Sequence, residues 1–186
     1  MITFSSVYFF ISFIKNLLMK KLLFILAAFL FCYSGFSQTN AAAEKTPAYV
    51  LNPSFPDFTV YKAPDSIAFT QKDLKKNEPT LLMIFSPECG HCQNETRELV
   101  KNIDHFKNTQ ILMVTWLPYN EMISFYKMFK LADYPQITVA WDRKDFFLPY
   151  YEVQMYPKMV VYDKKGKYVN SFSGNINLED VLKAME

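Results

Sequence analysis

Leu81-Leu82-Met83-Ile84-Phe85-Ser86-Pro87-Glu88-Cys89-Gly90-His91-Cys92 is the stretch whose reading decides the fold. Its first five residues are a continuous apolar run bounded by Pro79 and Pro87, the pattern of a strand buried on both faces. From Cys92 onward the period changes. Leu99, Val100, Ile103 and Phe106 recur three or four residues apart, as on one face of a helix. Two cysteines therefore lie where a buried strand gives way to a helix. The first turn of a helix has unpaired N–H groups and the positive end of the dipole, which favour a thiolate. A cysteine there can have its pKa lowered from about 8.5 into the range of roughly 3.5–7.5.

Working outward, Phe58–Tyr61 and Ile67–Thr70 read as short strands around a turn at Ala63-Pro64-Asp65, with a charged surface segment at Lys72–Asn77. Ile111–Trp116 and Ile137–Trp141 are further apolar strand runs. Between them, Asn120 can cap a helix whose buried stripe is Met122, Ile123, Tyr126 and Phe129. Residues 143–151 are aromatic and briefly helical at most, since Pro149 limits a longer helix. Met159–Tyr162 and Tyr168–Phe172 flank a turn containing Gly166, which reads as a β-hairpin. A last helix, capped by Asn177, sets Leu178, Val181, Leu182 and Met185 on one face. Strand–helix alternation followed by a hairpin gives an α/β fold: a central mixed β-sheet flanked by helices, with an N-terminal strand extension.

The N-terminus has the pattern of an export signal. Met19-Lys20-Lys21 precedes the apolar run Leu22–Phe31, and Gly35-Phe36-Ser37 offers a cleavage site before Gln38. The reading is a signal peptide over residues 1–37, with an uncleaved N-terminal anchor as the alternative, a flexible lead-in over 38–54, and one domain over 55–186. Residues 1–37 carry three lysines and no acid, so without them the net charge falls from +2 to −1. No basic stripe remains, which speaks against nucleic acid as a partner. Cys32 leaves with the signal, and Cys89 and Cys92 remain as a close pair in an oxidising compartment. A disulfide between residues three apart closes almost no loop and stabilises little, so its use is to react.

The chemistry that follows is a two-step exchange. Cys89 attacks a substrate disulfide, and Cys92, one turn deeper, resolves the mixed disulfide. His91, between the sulfurs, donates a hydrogen bond or a charge to the thiolate and so makes the disulfide more oxidising. Glu88, beside Cys89, acts in the opposite direction. A zinc site needs two further ligands, and His105 lies 13 residues, or about 20 Å of helix, beyond Cys92. A two-thiolate copper-holding module stands as the non-enzymatic alternative. The aromatics Phe146, Phe147, Tyr150 and Tyr151 read as core residues rather than as a groove.

Phe85-Ser86-Pro87-Glu88-Cys89-Gly90-His91-Cys92 after a buried strand resembles the active site of the thioredoxin superfamily, and the CGHC tetrad is similar to that of protein disulfide isomerases. Phe55-Pro56-Asp57-Phe58, Tyr151–Pro157 and the strand–turn–strand of residues 158–169 resemble the TlpA-like exported branch. The resemblance implies a thioredoxin fold and a periplasmic thiol–disulfide oxidoreductase acting on protein thiols and disulfides. Its electrons would pass to or from a redox partner protein, with the membrane as one location. A membrane-anchored reductant for cytochrome maturation is the alternative within that class. No cofactor is implied beyond the Cys89–Cys92 dithiol. Pro157 matches the family's cis-proline, and the backbone of Tyr156 would then pair with an extended substrate segment. Two positions depart from the family pattern. Met83 stands where thioredoxins keep a buried acid, leaving the proton acceptor for Cys92 open, and Glu88 stands where tryptophan is frequent.

Overall fold

The computed structural model describes Lys15, residues 19–21 and residues 46–185. The chain divides into two compact units, Met1–Lys45 and Thr46–Glu186, and the seven-stranded sheet belongs to the second. The signal-peptide reading falls outside the described residues apart from four positions. No helix among the described residues is long and apolar enough to cross a membrane.

The strands are β1 (Thr59–Lys62), β2 (Ala68–Thr70), β3 (Thr80–Ile84), β4 (Gln110–Thr115), β5 (Ile137–Trp141), β6 (Lys158–Tyr162) and β7 (Tyr168–Ser173). Their order across the sheet is β2-β1-β5-β4-β3-β6-β7. The centre, β5-β4-β3, is parallel, and both flanks are antiparallel. This is a thioredoxin-like mixed sheet, with β1 and β2 as the N-terminal extension. β3 lies next to the middle of the sheet and is buried at all five residues, as its unbroken apolar run requires.

Alternation along the central strands builds two cores. Leu81, Met83, Met113, Met159 and Val161 face one side, against helices α2 (Gly90–Lys101), α3 (Tyr119–Met128) and α5 (Leu178–Ala184). Leu82, Ile84, Leu112, Val114, Val160 and Tyr162 face the other. That second face is covered by Phe55, Phe58, Phe147 and Tyr151, the last two from the short α4 (Phe147–Tyr150) and the residue after it. Phe147 and Tyr151 therefore do fill the core. At its centre the hydroxyls of Tyr151 and Tyr162 lie 2.7 Å apart, each satisfying the other away from water.

Several boundaries differ from the sequence reading, each for a local reason. The first long helix begins at Gly90 and ends at Lys101; Ile103–Phe106 continues as a 3-10 turn, so the apolar period runs on after the α-helix stops. Pro118, not Asn120, occupies the N-cap of α3, because Tyr119 already has helical geometry. Lys72–Asn77 contributes only the end of a 3-10 turn, Gln71–Asp73, closed by a Thr70–Asp73 capping box. Part of the 38–54 lead-in is packed rather than flexible. Helix α1 (Ala48–Leu51) places Tyr49 against Tyr151 and Tyr168, and Ser54 bridges to Lys167. The apolar surface that orders it comes from the far end of the sequence. Asn177 does cap α5, its side chain accepting from the Glu179 N–H at 3.1 Å. Gly166, at φ +69°, makes the hairpin turn, with the Asp163 side chain accepting from the N–H groups of Lys165 and Lys167.

Candidate active site

β3 delivers the chain to the cysteines. The Phe85 N–H bonds the Val114 carbonyl at 3.0 Å, extending the parallel pairing one residue past the strand, and the Phe85 ring packs on Phe125. The chain then turns through Ser86-Pro87-Glu88, with the Cys89 N–H donating to the Ser86 carbonyl at 3.1 Å. Gln93 ties the turn to the helix through its side-chain amide on the Pro87 carbonyl at 2.9 Å.

Cys89 is the N-cap residue of α2, in extended geometry, so its sulfur stands at the helix end where unpaired N–H groups converge. Cys89 is half-buried and Cys92 fully buried, and both are free thiols. Burial pushes the Cys92 thiol far up; the Ser86 backbone offsets this in part, while contact with Cys89 adds to it. The two sulfurs thus differ in access, the outer one reachable and the inner one enclosed.

Across from them runs the 151–157 loop. The Tyr156–Pro157 peptide is cis, as is Ala63–Pro64. Cys89 Sγ lies 3.9 Å from the Tyr156 carbonyl oxygen, so the backbone before Pro157 faces the outer sulfur. Cys89, Cys92, Tyr156 and Pro157, far apart in sequence, are gathered in one place. His91 points away from the core and is exposed, as is Glu88.

Three features had no signal in the sequence. The Tyr156 ring stacks on Trp116, which follows β4, with centroids 4.9 Å apart and planes at 25°. Glu95 is buried on α2 one turn beyond Cys92, its carboxylate accepting from the Ile176 N–H at 3.3 Å. Burial raises its proton affinity, and the backbone of Ile176 and the charge of His91 oppose that rise. The third is Asp142, at the end of β5. One of its oxygens accepts from the Phe147 N–H at 2.8 Å; the other has no partner among the described residues. It abuts a gap bordered by Val114, Thr115, Trp116, Phe147 and Leu148. Acidic side chains at 95 and 142 look like any surface acid in a one-dimensional pattern, because neither breaks an apolar stripe.

Asp142 gives a pH-dependent stability. Burial raises its carboxyl above the ordinary value of 3.8, with the Phe147 and Phe146 N–H groups pulling the other way. The native chain therefore holds the proton over a window in which the unfolded chain has lost it. The contribution is full below pH 3.8 and is lost as pH rises through the folded value. Thermal melts of Asp142→Asn against wild type should show the gap shifting in favour of Asn by a few degrees between about pH 3.5 and pH 7. A gap that stays constant over that range would mean that folding leaves the proton affinity of Asp142 unchanged.

A buried strand that hands two cysteines to the first turn of a helix, facing a cis-proline loop across a mixed sheet, defines a dithiol protein of thioredoxin type. The chain belongs to the thioredoxin-like domain family, whose model matches residues 70–186. Solved structures share the fold. A secreted Mycobacterium tuberculosis disulfide oxidoreductase homologous to E. coli DsbE superposes with TM-score 0.57 at 18% identity, covering 68% of this chain and 92% of that one. DsbF of the same organism gives 0.54 at 18% identity, with 68% and 91% covered. The exposed lipoprotein thioredoxin Etrx1 of Streptococcus pneumoniae gives 0.52 at 23% identity, with 70% and 100% covered. None of the curated proteins compared with the chain matches it.

Proposed function

We propose that this protein is a thiol–disulfide oxidoreductase of the TlpA-like branch, working in the cell envelope on exported proteins. The observation that carries the reading is the asymmetry of the dithiol: a half-buried Cys89 at a helix N-terminus beside a fully buried Cys92. The Cys89 thiolate attacks one sulfur of a substrate disulfide, forming a mixed disulfide and expelling the other substrate sulfur as a thiolate. Cys92 then gives up its proton and attacks the Cys89 sulfur. The Cys89–Cys92 disulfide forms, the second substrate thiol leaves, and two electrons have passed to the substrate. The reverse sequence donates a disulfide.

Met83 lies on the Cys92 side of the sheet and cannot take that proton. His91, exposed on the first turn, tunes the potential, and the backbone of Tyr156 with Pro157 holds the substrate segment. A dithiol protein partner, in or at the membrane, restores the working redox state. Electron delivery for cytochrome maturation is one use such a reductant would have.

Equilibration of the protein against glutathione buffers tests the reading. A potential near about −270 mV marks a reductant, and one between about −180 and −120 mV a protein that makes or reshuffles disulfides. A dithiol that does not exchange with glutathione at all sinks the oxidoreductase reading.

A further inference from the structure

At the end of the sheet away from the cysteines, two lysine-rich turns meet around a cavity of about 450 Å³. β3 and β4 start in its wall, at Thr80 and Gln110, and β3 runs from there to the dithiol turn. Lys75 and Lys76 line it from the turn before β3, Lys164 and Lys165 from the β6–β7 hairpin. Both turns are fixed. The Gln110 side chain accepts from the Lys75 N–H at 2.8 Å and donates to the Lys75 carbonyl at 2.9 Å. Phe55 donates its N–H to the Gly166 carbonyl at 3.0 Å, and its own carbonyl accepts from the Gln71 side chain at 2.6 Å. One residue thus ties the two turns together.

Lysine-rich turns are ordinarily solvated and balanced by acids, but here the acids are engaged within their own turns. Residues 71–78 and 163–167 hold six lysines against three acids, a charge of +3, in a chain whose residues 38–186 sum to −1. The Asp73 carboxylate accepts from the Thr70 N–H and hydroxyl, and Asp163 from the N–H groups of Lys165 and Lys167. Glu78 pairs with Lys75 at 3.3 Å. Lys72, Lys76, Lys164 and Lys165 are exposed and form no ion pair among the described residues. Two large apolar side chains stand in water close by in sequence. Leu51, 66% exposed, comes three residues before Ser54 of the cavity wall, and Val169, 44% exposed, three residues after Gly166. Lysines accompanied by single exposed apolar side chains are the make-up of a surface that lies on an anionic bilayer.

We propose that this lysine face docks on the headgroups of anionic phospholipids, leaving Cys89 at the far end of the domain, turned away from the membrane. The inference goes beyond the oxidoreductase reading and does not depend on the dithiol. Two observations select a bilayer as the occupant. The charge of the face is opposite to that of the headgroups, and the apolar run Leu22–Phe31 of the same chain, as signal or anchor, brings the protein to a membrane surface. Each lysine near such a surface strengthens attachment about fivefold, so reversing two of them weakens it by more than about tenfold.

The test uses the full chain on vesicles of phosphatidylcholine, with or without about 30% phosphatidylglycerol. A membrane-impermeant amine-acylating reagent is added, and mass spectrometry reads the labelling rate of each lysine. Exposed Lys144, which follows β5 at the dithiol end of the parallel strands, is the reference. Lys76, Lys164 and Lys165 should label several-fold more slowly on the anionic vesicles than on the neutral ones, and Lys144 equally on both. High salt should abolish the protection. The double variant Lys164→Glu/Lys165→Glu should lose the protection of Lys76 and keep wild-type exchange with glutathione. Equal labelling on the two vesicle types overturns the proposal, as does protection of Lys76 that survives the double variant. So does protection without vesicles by glycerol phosphate, which would assign the cavity to a soluble anion. Protection by polyglutamate where anionic vesicles give none would assign the face to an acidic protein instead, and overturns it as well.

Discussion

Cys89→Ser should bring insulin-disulfide reduction down to the uncatalysed rate, whereas Cys92→Ser should stop turnover while a mixed disulfide with substrate accumulates on Cys89. The difference follows from where the two sulfurs sit. Cys89 is half-buried at the N-cap of α2, open to a substrate lying along the Tyr156 carbonyl. A serine hydroxyl there is neither ionised nor a useful nucleophile toward sulfur, so the first step is lost outright. Cys92 is enclosed, and its thiol is held protonated by burial. In the proposed exchange it has no part in the first step and is required for the second. Each pKa unit by which burial lifts a thiol cuts its thiolate fraction at neutral pH about tenfold. Iodoacetamide at pH 7 should therefore label Cys89 and leave Cys92 of the native protein unmodified. Mass spectrometry of the alkylated chain and non-reducing gels of the Cys92→Ser protein read both results. Equal labelling of the two cysteines, or a Cys92→Ser protein that turns over normally, would contradict the assignment of roles.

The second large effect is on stability. Phe85→Ala should lower folding stability by about 3–5 kcal/mol. The ring is fully buried and packs at 4.5 Å on Phe125 of α3, while its N–H holds the strand end to Val114. Loss of the ring leaves a cavity at the junction of β3, β4 and α3, and that junction is the root of the Ser86–Cys89 turn. For a domain of this size the melting temperature should fall by roughly 10–15 °C. Phe85→Leu, which keeps most of the volume, should cost far less. Thermal melts of the three proteins decide it; similar values for Ala and Leu would mean that the site collapses to fill the gap. Below its melting point the Ala protein should also be slower in disulfide exchange, because the turn that presents Cys89 has lost its support.

The sequence by itself determined what depends on short-range pattern. An unbroken apolar run told that β3 is buried on both faces, the change of period at the cysteines placed them at a helix start, and Asn177 announced the last helix. Gly166 marked the hairpin turn, and a close cysteine pair pointed to thiol–disulfide chemistry. Each of these is written in neighbouring residues, because side-chain period, capping and turn geometry act over a few positions. Only the tertiary structure decided which distant groups meet. Trp116 and Tyr156 are 40 positions apart and stack because the end of β4 and the turn into β6 lie at the same end of the sheet's strands. Glu95 and Asp142 are buried because other elements close over them, and Tyr49 is ordered by a surface assembled from β6, β7 and the residues after α4. A pattern along one strand or helix says that a face is covered; what covers it is set by packing among elements that the pattern cannot relate.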